Sequence, residues 1–227
     1  MAQSEPVTLM AGGVRLSGDL TVPAACTCIV LFAHGSGSSR LSPRNTAVAR
    51  LLNQAGLGTL LFDLLTDNEA QDRANVFNIA LLARRLISAT DWVLEQPDTQ
   101  DLQVAYFGAS TGAAAALLAA AHLGQRISAV VSRGGRPDLA AHSLGGVVAP
   151  TLLIVGSEDD VVLDLNRGAF EMLRCTKALE IIPGATHLFE EPGALDQVAD
   201  LAADWFQRFA GTSDSARRAQ PGEGPAG

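Results

Sequence analysis

Cysteine, basic residues and long apolar runs are all scarce in this chain, and each scarcity removes a class of function. Three cysteines in 227 residues are too few, and odd in number, for a disulfide framework. Cys26 and Cys28 stand two apart inside an apolar run and are expected on one strand face as core thiols. A Cys-x-Cys pair without a second pair or a nearby histidine cannot supply the four ligands of tetrahedral zinc, so no metal site is expected. Sixteen Lys and Arg stand against 24 Asp and Glu, a net charge of −8. Long-range attraction to nucleic acid or to an anionic lipid surface has no source, and neither is expected as a partner. The most apolar stretch, Ala113 to Ala121, falls well short of the ~18 residues that cross a bilayer. Met1 to Gly13 carry neither a basic start nor an apolar run, so no secretory signal is read and a cytoplasmic location is expected.

What the chain does have is apolar content. At 48% hydrophobic and 18% charged, it buries a core without metal or disulfide. Short β-rich runs alternate with segments of helical period, the pattern of βαβ units around a mostly parallel sheet with helices on both faces. The opening differs. Val7 to Met10 and Val14 to Leu20 flank Ala11-Gly12-Gly13 and read as an antiparallel hairpin. Strands are then expected at Cys28–Ala33, Thr59–Phe62, Gln103–Phe107, Ala129–Ser132, Thr151–Val155 and Ala178–Ile182, about eight in all. Helices are expected after the Ser42-Pro43 cap, over Asn75–Leu94, Ser110–Leu123 and Leu163–Leu173, and over Ala194–Phe209, with an acidic loop after Asp63. Residues 1–210 read as one domain and 211–227, rich in Gly, Ser, Pro and Arg, as a disordered tail. Only Arg133 to Pro150 separates two strands, too little chain for a lid, so any site should be open.

The chemistry concentrates at strand ends. Gly108-Ala109-Ser110-Thr111-Gly112 fits G-x-S-x-G immediately after a strand and at the start of a helix, where a tight elbow exposes the serine. A serine hydroxyl needs a base within hydrogen-bond reach and a carboxylate to orient that base. Of the four histidines only His187 follows the last strand, at the carboxyl edge of the sheet where ligands bind in open α/β folds. His34 is read as loop support. For the carboxylate, Asp159 stands three residues past Gly156 and is preferred over Asp160, with Glu158 third. An oxyanion needs two donors. One is the backbone N–H of Thr111; the other is expected from His34-Gly35-Ser36-Gly37, with Ser36 favoured and Gly37 next. That loop lacks the G-K-[ST] ending of a P-loop and the third glycine of a dinucleotide site, so no cofactor is expected. Arg133, after a strand, either faces the site and pairs with a substrate carboxylate or is a solvated loop arginine.

These motifs together, Ser110, Asp159 and His187 in that chain order with the His34–Gly37 loop, resemble the α/β-hydrolase superfamily. The small lidless build resembles its dienelactone hydrolase family over residues 14 to 209. The resemblance implies a hydrolase acting on small esters, lactones or thioesters through an acyl-enzyme. Position 110 is serine, whereas the namesake enzymes use cysteine, which draws the expectation away from the namesake substrate. Two other readings share the same residues: a catalytically silent module of this fold that binds a partner, and an acyltransferase or perhydrolase.

Overall fold

The computed structural model describes residues 3–211; the tail reading for 212–227 lies outside them. Eight strands form one sheet: β1 (Glu5–Ala11), β2 (Val14–Thr21), β3 (Cys28–Ala33), β4 (Gly58–Phe62), β5 (Gln103–Ala109), β6 (Ile127–Arg133), β7 (Thr151–Gly156) and β8 (Lys177–Ile182). The helices are α1 (Pro43–Gln54), α2 (Asp67–Ala70), α3 (Arg73–Val76), α4 (Ile79–Glu95), α5 (Thr111–Leu123), α6 (Ala141–Leu144), α7 (Asp160–Met172) and α8 (Ala194–Ala210). Strand order is β1-β2-β4-β3-β5-β6-β7-β8. β1 pairs antiparallel with β2 and β2 with β4, and the remaining pairs are parallel. This is the α/β-hydrolase architecture with its N-terminal hairpin, as the alternation in the sequence implied.

The two-residue period of a strand divides the core. In β3, Ile29, Leu31 and Ala33 belong to the layer under α4 and α5, while Cys28, Val30 and Phe32 belong to the layer under α1 and α8. Both layers are dry, which is why β3, β5 and β7 read as unbroken apolar runs. In α5 the side chains from Ala113 to Ala116 are all fully buried. Their methyl size lets this helix sit close on the sheet.

Three details depart from the sequence reading. The crossover helix begins at Ile79 rather than Asn75, because the Asn78 side chain accepts the Leu81 N–H and caps it. The expected acidic loop contains α2 and α3; a Thr66/Glu69 capping box starts the first and Asp72 caps the second. Cys26 lies before β3 and does not share its face; only Cys28 is in the core.

Between β6 and β7 the chain holds a single 3-10 turn (Pro137–Ala140) and the short α6. No lid stands there. At the opposite, amino edge of the parallel strands, the Thr27 hydroxyl donates to the Gly211 carbonyl at 3.3 Å, so α8 finishes beside the start of β3. Among the described residues no helix is long and apolar enough to cross a membrane.

Candidate active site

Ser110 is a non-glycine residue with φ 50° and ψ −121°. L-residues adopt this region only when their surroundings force it, and such strain collects at functional sites. Here the forcing is visible. The Ser110 N–H donates to the Arg133 carbonyl at 3.2 Å, and its carbonyl accepts from Ala113 and Arg136 N–H at 3.1 and 3.0 Å. The strand and helix that meet at the elbow nearly touch. A Cβ on Gly108 would overlap the Ala113 backbone, and one on Gly112 would overlap the Ala33 and His34 carbonyls. Glycine at both positions is what admits the turn.

His187 and Asp159 come from neighbouring loops, after β8 and β7, and backbone bonds hold the two in register. Ser157 N–H donates to Ile182 O at 3.0 Å, Glu158 N–H donates to Ala185 O at 3.0 Å, and Gly184 N–H reaches Ser157 Oγ at 2.8 Å. Asp159 Oδ2 then lies 2.6 Å from His187 Nδ1. Asp160, the competing acid, is exposed in the first turn of α7, and Glu158 is exposed beside Ser157. With Nδ1 facing a carboxylate, the Nε2 of His187 is left for other work. Gly134, at φ 50°, makes room for this ring: a Cβ there would lie 3.5 Å from His187 Nδ1. Phe189, also at positive φ (56°), packs its ring against the same glycine.

Ser110 and His187 line one cavity of about 270 Å³ with Gly35, Ser36, Arg133 and Leu188 among its other walls. The structure thus brings together Ser110, Asp159, His187, Ser36 and Arg133. Gly37 lies on the other side of the loop, in a second hollow of about 330 Å³ bounded by Asp63, Leu65 and Val76. Ser36 N–H donates to the Thr111 hydroxyl at 2.9 Å, tying the loop after β3 to the elbow. The Thr111 and Gly37 N–H groups have no acceptor among the described residues. His34 braces the same loop: its Nε2 accepts the Leu64 N–H at 3.1 Å, so its Nδ1 carries the proton donated to Gly35 O at 3.0 Å. Burial holds His34 below the usual imidazole range, against smaller opposing effects of the Gly35 hydrogen bond and Asp63. It is thus loop support, as its position implied.

Arg133 is buried, with only 7% of its surface exposed. Its Nε and Nη1 have no hydrogen-bond partner, while Nη2 sits 3.5 Å from Asn45 Oδ1 and the guanidinium lies 5.9 Å from the Phe189 ring centre. Burial, helped by Arg44, lowers its pKa to about 10. The solvated-loop reading of Arg133 does not hold. Arg44 bonds Glu190 at 3.1 Å across the outer wall. Sequence reasoning treated Arg44 as a surface cation and gave Asn45 and Phe189 no role at the site; nothing local marks residues that meet only through the fold.

No family model matches the sequence. The chain is 56% identical to the dienelactone hydrolase of Anabaena variabilis ATCC 29413, over 92% of this chain and 99% of that one, with a TM-score of 0.90. At 20% identity it shares its fold with XC6422 of Xanthomonas campestris, described as an α/β serine hydrolase without lid, over 91% of this chain and 94% of that one (TM-score 0.75). It is 61% identical over 204 residues to a Mycobacterium tuberculosis protein (strain H37Rv) named as a phosphoribosyl transferase; the match takes in 90% of this chain but 46% of that protein. The chain therefore spans less than half the length of that relative.

Proposed function

Because the chain belongs to the dienelactone hydrolase family of α/β-hydrolases, we propose that it is a serine hydrolase that cleaves small carboxylic esters, lactones or thioesters through an acyl-enzyme. One observation carries the reading. A serine held in a strained elbow lines the same cavity as a histidine whose far nitrogen is bonded to a carboxylate at 2.6 Å.

In the proposed reaction Ser110 Oγ attacks the ester carbonyl as its proton passes to His187 Nε2. Asp159 fixes the tautomer and stabilises the imidazolium. The negative charge forming on the carbonyl oxygen is met by the Thr111 N–H at the start of α5, where the helix dipole favours it. The second donor is the Ser36 N–H, once the oxyanion replaces the Thr111 hydroxyl as its acceptor. Collapse breaks the acyl C–O bond, His187 returns the proton to the leaving alcohol, and water repeats the sequence on the acyl-enzyme. The cavity is smaller than the roughly 300–1,000 Å³ of pockets for drug-sized ligands, which favours short acyl groups. Arg133 on its wall is a substrate-contacting residue.

The test is labelling of the intact protein by a fluorophosphonate together with turnover of short-chain p-nitrophenyl esters. Wild type is expected to label at Ser110 and turn over; Ser110→Ala is expected to lose the label and at least about 10³-fold in kcat. Retained turnover in Ser110→Ala refutes the mechanism, and a folded wild type that does not label supports a silent partner-binding module instead. Added alcohol or peroxide as competing nucleophile separates hydrolysis from acyl transfer by the products formed.

A further inference from the structure

The strongest unexplained feature of the cavity is its charge. Arg133 is buried with two guanidinium nitrogens unbonded, and among the described residues it has no carboxylate partner. A buried ion without a counter-ion costs several kcal/mol, so folded proteins pair such groups or bind something that pairs them. The ring of Phe189 and the distant Asn45 amide oxygen do not neutralise it. The nearest cation makes matters worse: Arg44, on the same wall, acts on Arg133 by like-charge repulsion, and the Arg44 Nε is also buried and unbonded.

Arg40 offers an internal contrast. It stands in the neighbouring hollow and is clasped by Asp19 at 3.1 Å and Asp63 at 2.9 Å. The protein supplies two carboxylates to that arginine and none to Arg133. The one acid near the pair is Glu190, which holds Arg44 from outside and is itself largely exposed, at 64%. An exposed carboxylate has its full hydration within reach, so its attachment to Arg44 is easily exchanged.

We infer that Arg133 and Arg44 form a binding site for a carboxylate carried by the substrate at the end remote from the scissile bond, with Glu190 as the counter-ion that this carboxylate displaces from Arg44. The substrates are then half-esters of short dicarboxylic acids or chemically similar acid-bearing esters. The planar guanidinium fork of Arg133 takes both carboxylate oxygens, its vacant Nε and a terminal nitrogen pointing the same way. Neutral esters of equal size bind without that contact and leave the buried charge uncompensated. The inference rests on the hydrolase reading for its substrate, but the anion site itself has an independent measurement.

The experiment compares monoethyl glutarate with ethyl valerate by kcat/KM in wild type, Arg133→Met, Arg44→Met and Glu190→Gln, and measures glutarate binding to each by calorimetry. Wild type is expected to prefer the anionic ester. The ratio should fall about tenfold or more in Arg133→Met, and by less in Arg44→Met. Glu190→Gln should bind glutarate more tightly than wild type. Arg44 lies on the half-exposed rim, so its variant reports even where Arg133→Met does not fold. A wild-type ratio near one, or a ratio unchanged in both arginine variants, overturns the inference while leaving the hydrolase reading intact if Ser110 still labels. Glutarate binding that depends on Arg133 in a protein whose Ser110 does not label leaves the anion site standing and removes ester hydrolysis.

Discussion

Gly156 has a negative φ, so a larger residue is excluded there by space and not by backbone conformation. A Cβ at 156 would overlap the Ala185 carbonyl, against which the loop carrying Asp159 is laid beside the loop carrying His187. Gly156→Ala is therefore expected to cost at least about 1–3 kcal/mol of stability through overpacking. The melting temperature should drop by at least about 4 °C, checked by calorimetry. Activity should fall further than stability, because the alanine separates the two loops whose spacing sets the 2.6 Å contact between His187 and Asp159. An alanine variant with wild-type melting and turnover would show that the loops yield without consequence.

Between elements, His34 is the link to examine. It joins the end of β3 to the chain after β4 by accepting the Leu64 N–H, and that bond exists only while Nε2 is unprotonated. Its pKa is lowered by burial, so the folded state disfavours the charged ring. The sign follows: the stabilisation is complete above the unfolded value of about 6.5 and is lost as pH falls through the lower folded value. The melting-temperature difference between wild type and His34→Gln should accordingly shrink as pH is lowered from neutrality toward the folded value. A difference that stays constant across that range would show that His34 does not titrate in the folded protein.

Much at this scale was legible beforehand. Strands buried on both faces announce themselves as unbroken apolar runs, and Ser110, Asp159 and His187 each follow such a run closely enough for sequence spacing to place them at one edge of the sheet. The helices over 67–76 carried a readable signal, Thr66 three residues before Glu69, which the acidic composition of the segment masked. Other features had no local signal. Arg44 reaches Glu190 across 146 positions and Ser36 reaches Thr111 across 75. Whether Arg133 is wet or dry depends on Phe189 and Asn45, which are distant in sequence and come together only when α1 and the loop after β8 close over β6.

For the whole molecule, the absence of a lid between β6 and β7 has a kinetic expression. Enzymes with a mobile cover gate access to their site by opening it; here the only covers are fixed loops. Hydrolysis of a short-chain triglyceride should rise hyperbolically with concentration and pass smoothly through the solubility limit. A jump in rate at that limit would show that some segment moves aside at an interface. The net charge of −8 makes a complementary demand. An acidic protein repels anionic substrates at long range, so the local positive pair at Arg133 and Arg44 must act at contact distance, and added salt should reduce the encounter penalty as well as the final attraction.

The bond from Thr27 to Gly211 fixes where the folded chain lets go. That point lies at the amino edge of the parallel strands, a full strand length from Ser110 at the carboxyl edge. A linker fused after Gly211 would hang from the underside of the molecule, and a solid support or a second enzyme attached through it would leave the mouth of the cleft facing outward. Tethered by that end, the protein should keep its substrate access and differ from the free form only in diffusion.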